Sequence, residues 1–379
     1  MKRFLALVLA VAGLAAPAFA QTPQPPELAA RQYILIDLSS QQVLAEREAD
    51  AQAEPASLTK LMTAYLVFEA LRDKKIALEQ TLPVSERAWA ERKGGGSLMF
   101  IEPRMSPKVD ELLRGMIVQS GNDASVALAE GVSGTVEAFV EQMNRRAQAW
   151  GLKNTQFRNV TGLTEPGHYS SARDMAVLAG RIITDFPDFY RYYSIRDYTF
   201  NNIKQPNRNR LLFVDPTVDG VKTGHTEAAG WCLIASALRG ERRLVSVVLG
   251  AASDAARAAE SQRLLNYGFQ AYDTVQLYQS GRTVTTLAVW KGSAKEVKAG
   301  FLADRHVTLP KGQAAKLALT LVAQERLIAP IASGQRVGLV RVTFEDRPVA
   351  EFPLIALEDV PQASLLGRAW DTVRLWFTK

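Results

Sequence analysis

Three short clusters in this 379-residue chain carry residues able to do acyl-transfer chemistry. They are Ser57-Leu58-Thr59-Lys60, Ser120-Gly121-Asn122 and Lys222-Thr223-Gly224, in that order along the chain. Ser57 is a candidate acyl-ester nucleophile, and a serine hydroxyl needs an adjacent base to act as one. Lys60, three residues on, shares a helix face with it and is the candidate general base. An amine serves as a base only when neutral, and burial together with a second cation, Lys222, depresses a lysine pKa. Ser120 can relay a proton between Lys60 and a leaving amine, while the Asn122 amide can hold a substrate peptide group. Lys222 adds positive potential over Ser120 and the substrate. Thr223 can bond a carboxylate, and Gly224 lets a substrate backbone approach closely. Taken singly, each cluster is weak evidence and also has a structural reading as a helix cap or a surface turn. Their ordered conjunction points to a serine–lysine acyl transferase.

Those side chains need elements to hold them. Leu58 to Leu71 is apolar on nearly every side, as a helix in a core must be, and Glu54-Pro55 is a reasonable entry to it. Ser57 is thereby expected at the amino end of a buried helix, where free N–H groups favour developing negative charge. Ser120-Gly121-Asn122 joins helical stretches at 108–119 and 123–131, and Lys222-Thr223-Gly224 precedes a strand that begins at Gly230. Tyr33 to Asp37 and Val43 to Ala45 read as a hairpin. Gly230 to Ala237 and Leu244 to Ala251 read as strands joined by the charged turn 239–242. This mixture over residues 29–268 predicts a sheet packed with helices. From 273 to 360 the pattern changes to short strand-like runs at 283–290, 307–309, 317–322, 337–344 and 349–357, predicting a small all-β domain. Residues 363–379 form a third unit. Leu366, Trp370, Val373 and Phe377 follow a helical period, with Arg368, Asp371, Thr372 and Arg374 mainly opposite. Such a helix suits a membrane interface and is too short to span the bilayer.

The amino end predicts export. Lys2 and Arg3 precede the apolar run Phe4 to Leu14, and Ala18-Phe19-Ala20 has the form of a signal-peptidase site, so residues 1–20 read as a removed leader. Residues 21–28 then form a Pro-rich linker. Loss of Lys2 and Arg3 lowers the net charge from +6 to +4. That is mildly basic, and without a dense basic run it gives no footprint for nucleic acid. The lone Cys232 lies in an apolar run and reads as a buried structural thiol. His168, His225 and His306 lack metal-ligand spacing, so neither metal nor cofactor is expected. Gly94-Gly95-Gly96 has no following lysine to make a phosphate loop and reads as a flexible border of the site. Asp174 reads as part of a Ser171 helix start.

With these residues in view, the chain resembles the D-alanyl-D-alanine carboxypeptidases, low-molecular-mass penicillin-binding proteins of serine peptidase family S11. Their motif set is the one above. The resemblance extends to Gly96-Ser97-Leu98-Met99-Phe100, Tyr169-Ser170-Ser171-Ala172-Arg173-Asp174, Gln205-Pro206-Asn207-Arg208-Asn209, Asp219 to Thr226 and Arg257-Ala258-Ala259-Glu260-Ser261. It implies a mixed α/β (α+β), β-lactamase-like transpeptidase domain, then a small all-β domain and an amphipathic anchor helix. It also implies that Ser57 attacks the penultimate D-alanine of peptidoglycan stem pentapeptides and that β-lactam antibiotics acylate the same serine. The backbone N–H groups of Ser57 and His225 would form the oxyanion hole. Lys222, Thr223, Gly224, His225 and Arg257 would bind substrate, with Thr223 and Arg257 on its free carboxylate. The expected location is peripheral, on the periplasmic side of the cytoplasmic membrane. Glu102 to Pro107 departs from the family's more usual Gly-Asp turn. Three alternatives share some of these features. A class A β-lactamase would need a Glu-x-x-Leu-Asn loop, which is not found. A D,D-endopeptidase usually lacks the terminal helix, and a non-catalytic wall-binding protein has no need of Ser57, Lys60, Ser120 and Lys222.

Overall fold

Alternation along Gln32–Asp37 (β1) sends Ile34 and Ile36 to one face of a sheet and Tyr33 and Leu35 to the other, and both faces are buried. The computed structural model describes residues 23–377, so the leader expected over 1–20 lies outside the described residues. β1 pairs antiparallel with Val43–Arg47 (β2), as the hairpin pattern predicts. Three later strands, Val218–Thr226 (β3), Gly230–Arg239 (β4) and Arg242–Ala251 (β5), complete an antiparallel sheet in the order β2-β1-β5-β4-β3. The longer helices around it are Lys60–Arg72 (α1), Val109–Val118 (α2), Asn122–Ser133 (α3), Val136–Ala149 (α4), Ala172–Asp185 (α5) and Asp254–Ala271 (α6).

Each face has its own core. α6 covers the Tyr33 and Leu35 side so closely that a Cβ on Gly268 would lie 2.6 Å from Leu244 and 2.8 Å from Leu35. On the other side α5 lies against β1 and β5, and α1 runs through the middle of the helical layer in contact with α2, α3, α4 and α5. Leu61, Met62, Val67 and Phe68 of α1 are fully buried. Burying each such side chain contributes about 1.5–3 kcal/mol. An element so held can carry a rigid site at its amino end.

One local expectation is corrected and another is extended. The helix predicted from Leu58 begins at Lys60, because Ala56–Thr59 first forms a 3₁₀ turn. Ser57 therefore sits one tight turn ahead of α1. Lys222-Thr223-Gly224 does precede the strand that begins at Gly230, and it is itself part of a strand, β3, that the sequence pattern does not show. Asp219, Gly220, Lys222 and Gly224 weaken any strand pattern there, and pairing with β4 is what makes the segment extended.

α6 runs straight into the C-terminal part, which is built of Tyr272–Tyr278 (β6), Thr283–Trp290 (β7), Glu296–Gly300 (β8), Arg305–Pro310 (β9), Leu317–Ala323 (β10), Leu327–Ile328 (β11), Arg336–Phe344 (β12) and Arg347–Ala356 (β13). β10-β12-β13-β8-β7-β11 form one sheet, and β9 pairs with β6. The strands β6, β8 and β11 were not foreseen, since their burial depends on neighbours. The junction centres on Asp37, which is fully buried. Its carboxylate accepts from Arg242 Nε at 2.8 Å and Thr274 Oγ1 at 2.5 Å. Arg242 also donates to the carbonyls of Gly268 and Tyr272.

Leu365–Phe377 (α7) ends the described chain. Asp371, 2 % exposed, accepts from the Lys291 backbone N–H at 2.7 Å and pairs with Lys295, fastening the helix to the β part. Leu365, Leu366, Trp370, Val373 and Trp376 stay exposed. No helix among the described residues is long and apolar enough to cross a membrane.

Candidate active site

The site forms where the turn ahead of α1, the α2–α3 junction and the edge strand β3 meet. Lys60 is 2 % exposed, and its Nζ donates to Ser57 Oγ at 2.9 Å, Asn122 Oδ1 at 2.8 Å and the Thr161 carbonyl at 2.6 Å. Lys222 Nζ donates to Ser120 Oγ at 2.9 Å and to the Thr223 carbonyl at 3.1 Å. The structure thus gathers all three sequence clusters: one amine on the nucleophile and one on the bridging hydroxyl.

Backbone conformation holds both hydroxyls. Ala56 (φ 47°) and Ser120 (φ 63°) occupy the left-handed region, which costs a residue with a Cβ about 1–2 kcal/mol. Strain of this kind concentrates at functional sites. Gly224 is required by contact, because a Cβ there would lie 3.1 Å from the Pro55 carbonyl and 3.2 Å from the Ser57 nitrogen. β3 therefore runs against the turn that presents the Ser57 N–H. As an edge strand it also leaves main-chain groups unpaired on the cleft side, where an extended peptide can add.

A second layer supports the first. The Asp123 carboxylate accepts from the backbone N–H groups of Met99 and Ile101 at 2.8 and 3.1 Å, and the Asn122 N–H donates to the Ser97 carbonyl at 2.7 Å. These bonds pin the 95–101 loop along the cleft. A Cβ on Gly96 would lie 2.2 Å from Asn122 Nδ2, so the loop needs glycine to pass the amide. The unusual Glu102–Pro107 segment makes an ordinary turn, its Met105 N–H bonding the Glu102 carbonyl.

The cleft has a volume of about 230 Å³ and is lined by Ser57, Gly96, Ser120, Arg208, Thr223 and Arg257, with His225 and Trp231 on its wall. Arg257 is 4 % exposed and not on the surface. It donates to the Gly224 carbonyl at 3.0 Å, pairs with Asp254 at 2.5 Å, and lies over the Trp231 ring. His225 stacks on that same ring at 4.0 Å. Arg208, quoted above only within a matching segment, is the cleft residue that sequence reasoning missed as a functional group. It has no hydrogen-bond or ion-pair partner among the described residues, so its charge is available to a ligand.

Electrostatics follow from this crowding. Burial pulls the Lys60 pKa down to about 7, with Arg208 adding to the fall and Glu91 and Asp123 opposing it. Lys60 and Lys222 also disfavour each other's charge, as the sequence predicts, and Arg208 is a further cation acting on both. Lys222 is itself held well below its ordinary value, first by burial and then by Lys60, Arg208 and Arg257. A half-neutral amine on a serine hydroxyl can take its proton at neutral pH. The surplus of positive charge favours a ligand bearing a carboxylate.

Several expectations are settled as structure. Cys232 is buried and free. Ser171 caps α5 by accepting from the Asp174 N–H.

Comparison with known proteins adds to this geometry. A family model for D-alanyl-D-alanine carboxypeptidase, peptidase S11, matches residues 19–253, and one for the C-terminal domain of penicillin-binding protein 5 matches 272–362. The D-alanyl-D-alanine carboxypeptidase DacC of Escherichia coli K12 is 44% identical over 94% of this chain and 90% of its own length. Penicillin binding protein 5 of Haemophilus influenzae superposes with a TM-score of 0.86 at 42% identity, covering 89% of this chain and 99% of that one. Penicillin-binding protein D2 of Listeria monocytogenes, solved in its cefotaxime-bound form, gives a TM-score of 0.60 at 29% identity over 65% of this chain and 100% of its own.

Proposed function

The chain belongs to the peptidase S11 family of D-alanyl-D-alanine carboxypeptidases, and from that premise we propose that Ser57 is the residue through which it forms its acyl-enzyme. The observation that carries this reading is the 2.9 Å contact between Ser57 Oγ and an amine whose pKa burial has brought to about 7. Lys60 takes the hydroxyl proton as Oγ attacks the carbonyl of the penultimate D-alanine of a peptidoglycan stem peptide. The oxyanion is received by the backbone N–H groups of Ser57 and His225. As the intermediate collapses, that proton passes from Lys60 by way of the Ser120 hydroxyl, held by Lys222, to the departing D-alanine amine. Asn122 holds the acyl side of the substrate. Thr223, Arg257 and Arg208 face the terminal carboxylate, which makes the reaction an exopeptidase one. Water then hydrolyses the acyl-enzyme and frees a tetrapeptide. A β-lactam uses the same attack, with the ring amide in place of the peptide bond.

The same reading extends to the ends of the chain. Residues 29–268 are the catalytic domain and 273–360 the β domain, joined at Asp37. The exposed leucines and tryptophans of α7 lie in the interface of an anionic membrane, on the periplasmic face, after removal of residues 1–20. The outward direction of that apolar stripe supports this placement.

Labelling with a fluorescent penicillin and release of D-alanine from a stem-pentapeptide analogue test the site. Both should disappear in Ser57→Ala; labelling that persists there would remove Ser57 from the role. Rapid penicillin turnover without D-alanine release would instead indicate a β-lactamase.

A further inference from the structure

We infer that His168 is a positioning residue for acylation: it clamps the 157–170 segment onto the turn that carries Ser57 and Lys60, and so sets the distance between nucleophile and base. This rests on the roles given to Ser57 and Lys60 above.

His168 is 3 % exposed. Its Nδ1 accepts the Arg158 backbone N–H at 3.0 Å. A ring nitrogen that accepts carries no proton, so a neutral imidazole bears its hydrogen on Nε2. Nε2–H then donates to Thr59 Oγ1, 2.8 Å away. Thr59 is fully buried and is the last residue of the nucleophile's turn, next to Lys60.

The segment meets the turn and α1 at further points. The Thr161 carbonyl accepts from Lys60 Nζ, and the Val160 carbonyl accepts from Thr63 Oγ1 at 2.9 Å. Gly162 (φ 85°) touches the turn directly, since a Cβ on it would lie 1.8 Å from the Ala56 carbonyl oxygen and 2.9 Å from the Ser57 nitrogen. The segment is stiff in itself: Asn159 Oδ1 accepts from the Gly162 N–H at 2.7 Å, and the Asn144 side chain brackets Phe157. His168 fastens the far end of this brace to the residue beside the base.

Burial keeps the imidazole neutral, its pKa lowered to about 4, although Glu165 and Glu54 favour the proton and Arg158 opposes it. The clamp therefore stays closed across the range in which Lys60 titrates. Neither His168 nor Thr59 lines the cleft. Loosening their bond should thus disturb the chemical step and leave substrate binding nearly intact.

The test uses the full chain and the variants His168→Leu, His168→Gln and Thr59→Val, with penicillin acylation rate, peptide kcat and KM, and thermal unfolding measured together. His168→Leu removes both bonds. The Gln amide has an acceptor and a donor spaced like the two ring nitrogens and can restore them. We expect His168→Leu and Thr59→Val to lower kcat and acylation by about 10- to 100-fold, the scale of a small misplacement of reacting groups, with KM changed by less than about twofold. His168→Gln should recover most of that loss. Acylation by His168→Leu at the parent rate would overturn the inference, as would a loss confined to KM, or a Gln variant no better than Leu. If His168→Leu does not fold, Thr59→Val decides, since it keeps the side-chain volume and deletes the hydroxyl that receives the His168 N–H. The Ser57→Ala control separates the two levels. Persistent labelling there sinks the site itself, whereas abolished labelling beside fully active Thr59→Val and His168→Leu sinks only the clamp.

Discussion

The two parts of this molecule treat their polar residues in opposite ways. Up to α6, lysine, arginine, asparagine and aspartate side chains are buried in number, among them Lys60, Asn122, Asp123, Lys222 and Arg257. Beyond residue 272 the buried polar side chains among the described residues are Thr308 and Asp371. Each of those fastens one element to another: Thr308 joins Ser40 and Thr274, and Asp371 holds α7. Burying an amine shifts its pKa and readies it for proton transfer, so the first part is arranged for chemistry at a cost in desolvation. The second holds its strands with an apolar core and, Asp371 apart, leaves its charged side chains at least partly exposed.

Breaking the reactive half should have the largest effect. Ser57→Ala is expected to lower D-alanine release by at least about 10⁴-fold, leaving only what binding and the oxyanion donors contribute, as read by amino-acid release. Lys60→Gln should cost about 10²–10⁴-fold, the range of a general base. The parent's pH profile gives the sign: the base must be neutral, so acylation should rise with pH and level off above about 7, the value of Lys60. A profile flat from pH 5 to 8 would contradict the assignment.

Effects on the joint between the halves come next. Asp37→Ala leaves Arg242 buried without its partner, which costs about 3–5 kcal/mol. Thermal unfolding should register that loss while penicillin acylation of the surviving fold stays close to the parent. His168 adds a pH term to stability. Its folded pKa of about 4 lies below the ordinary 6.5, so its contribution is complete above 6.5 and is lost as pH falls toward 4. That amounts to roughly 2–4 kcal/mol by linkage. In His168→Gln the unfolding temperature should depend less on pH over that window.

The smallest effect on chemistry should come from the far end. Deleting residues 363–379 is expected to release the protein from anionic vesicles in a sedimentation assay while its rate on a soluble peptide changes by less than about twofold, because surface changes remote from a site are nearly neutral. A truncated chain that still sediments would place the membrane contact elsewhere.

Much of this was legible in the linear text. Ser57 and Lys60 are three residues apart, on the turn that leads into a strongly apolar helix and at its first residue, so their meeting needs only local geometry. The hairpin β1–β2, the pair β4–β5 and the amphipathic α7 follow from periodicity in the same way. The edge strand β3 did not, because its glycines and charges hide its extended form until β4 pairs with it. Nor did the Thr161 carbonyl, since a backbone oxygen leaves no trace in residue type. Arg208 looked like a loop residue among loop residues. Asp123 looked like an ordinary first-turn acid.

What the sequence determined by itself was the inventory: a serine, its lysine, a second serine–lysine pair and the elements able to carry them. Local periodicity and spacing suffice for that, because they act over a few residues. Tertiary structure alone decided that Arg208 stands near both lysines, that the Thr161 carbonyl accepts from Lys60, and that His168 reaches Thr59 across 109 positions. Those outcomes depend on distances between segments far apart in the chain, and on burial, which belongs to the packed molecule and to no residue alone.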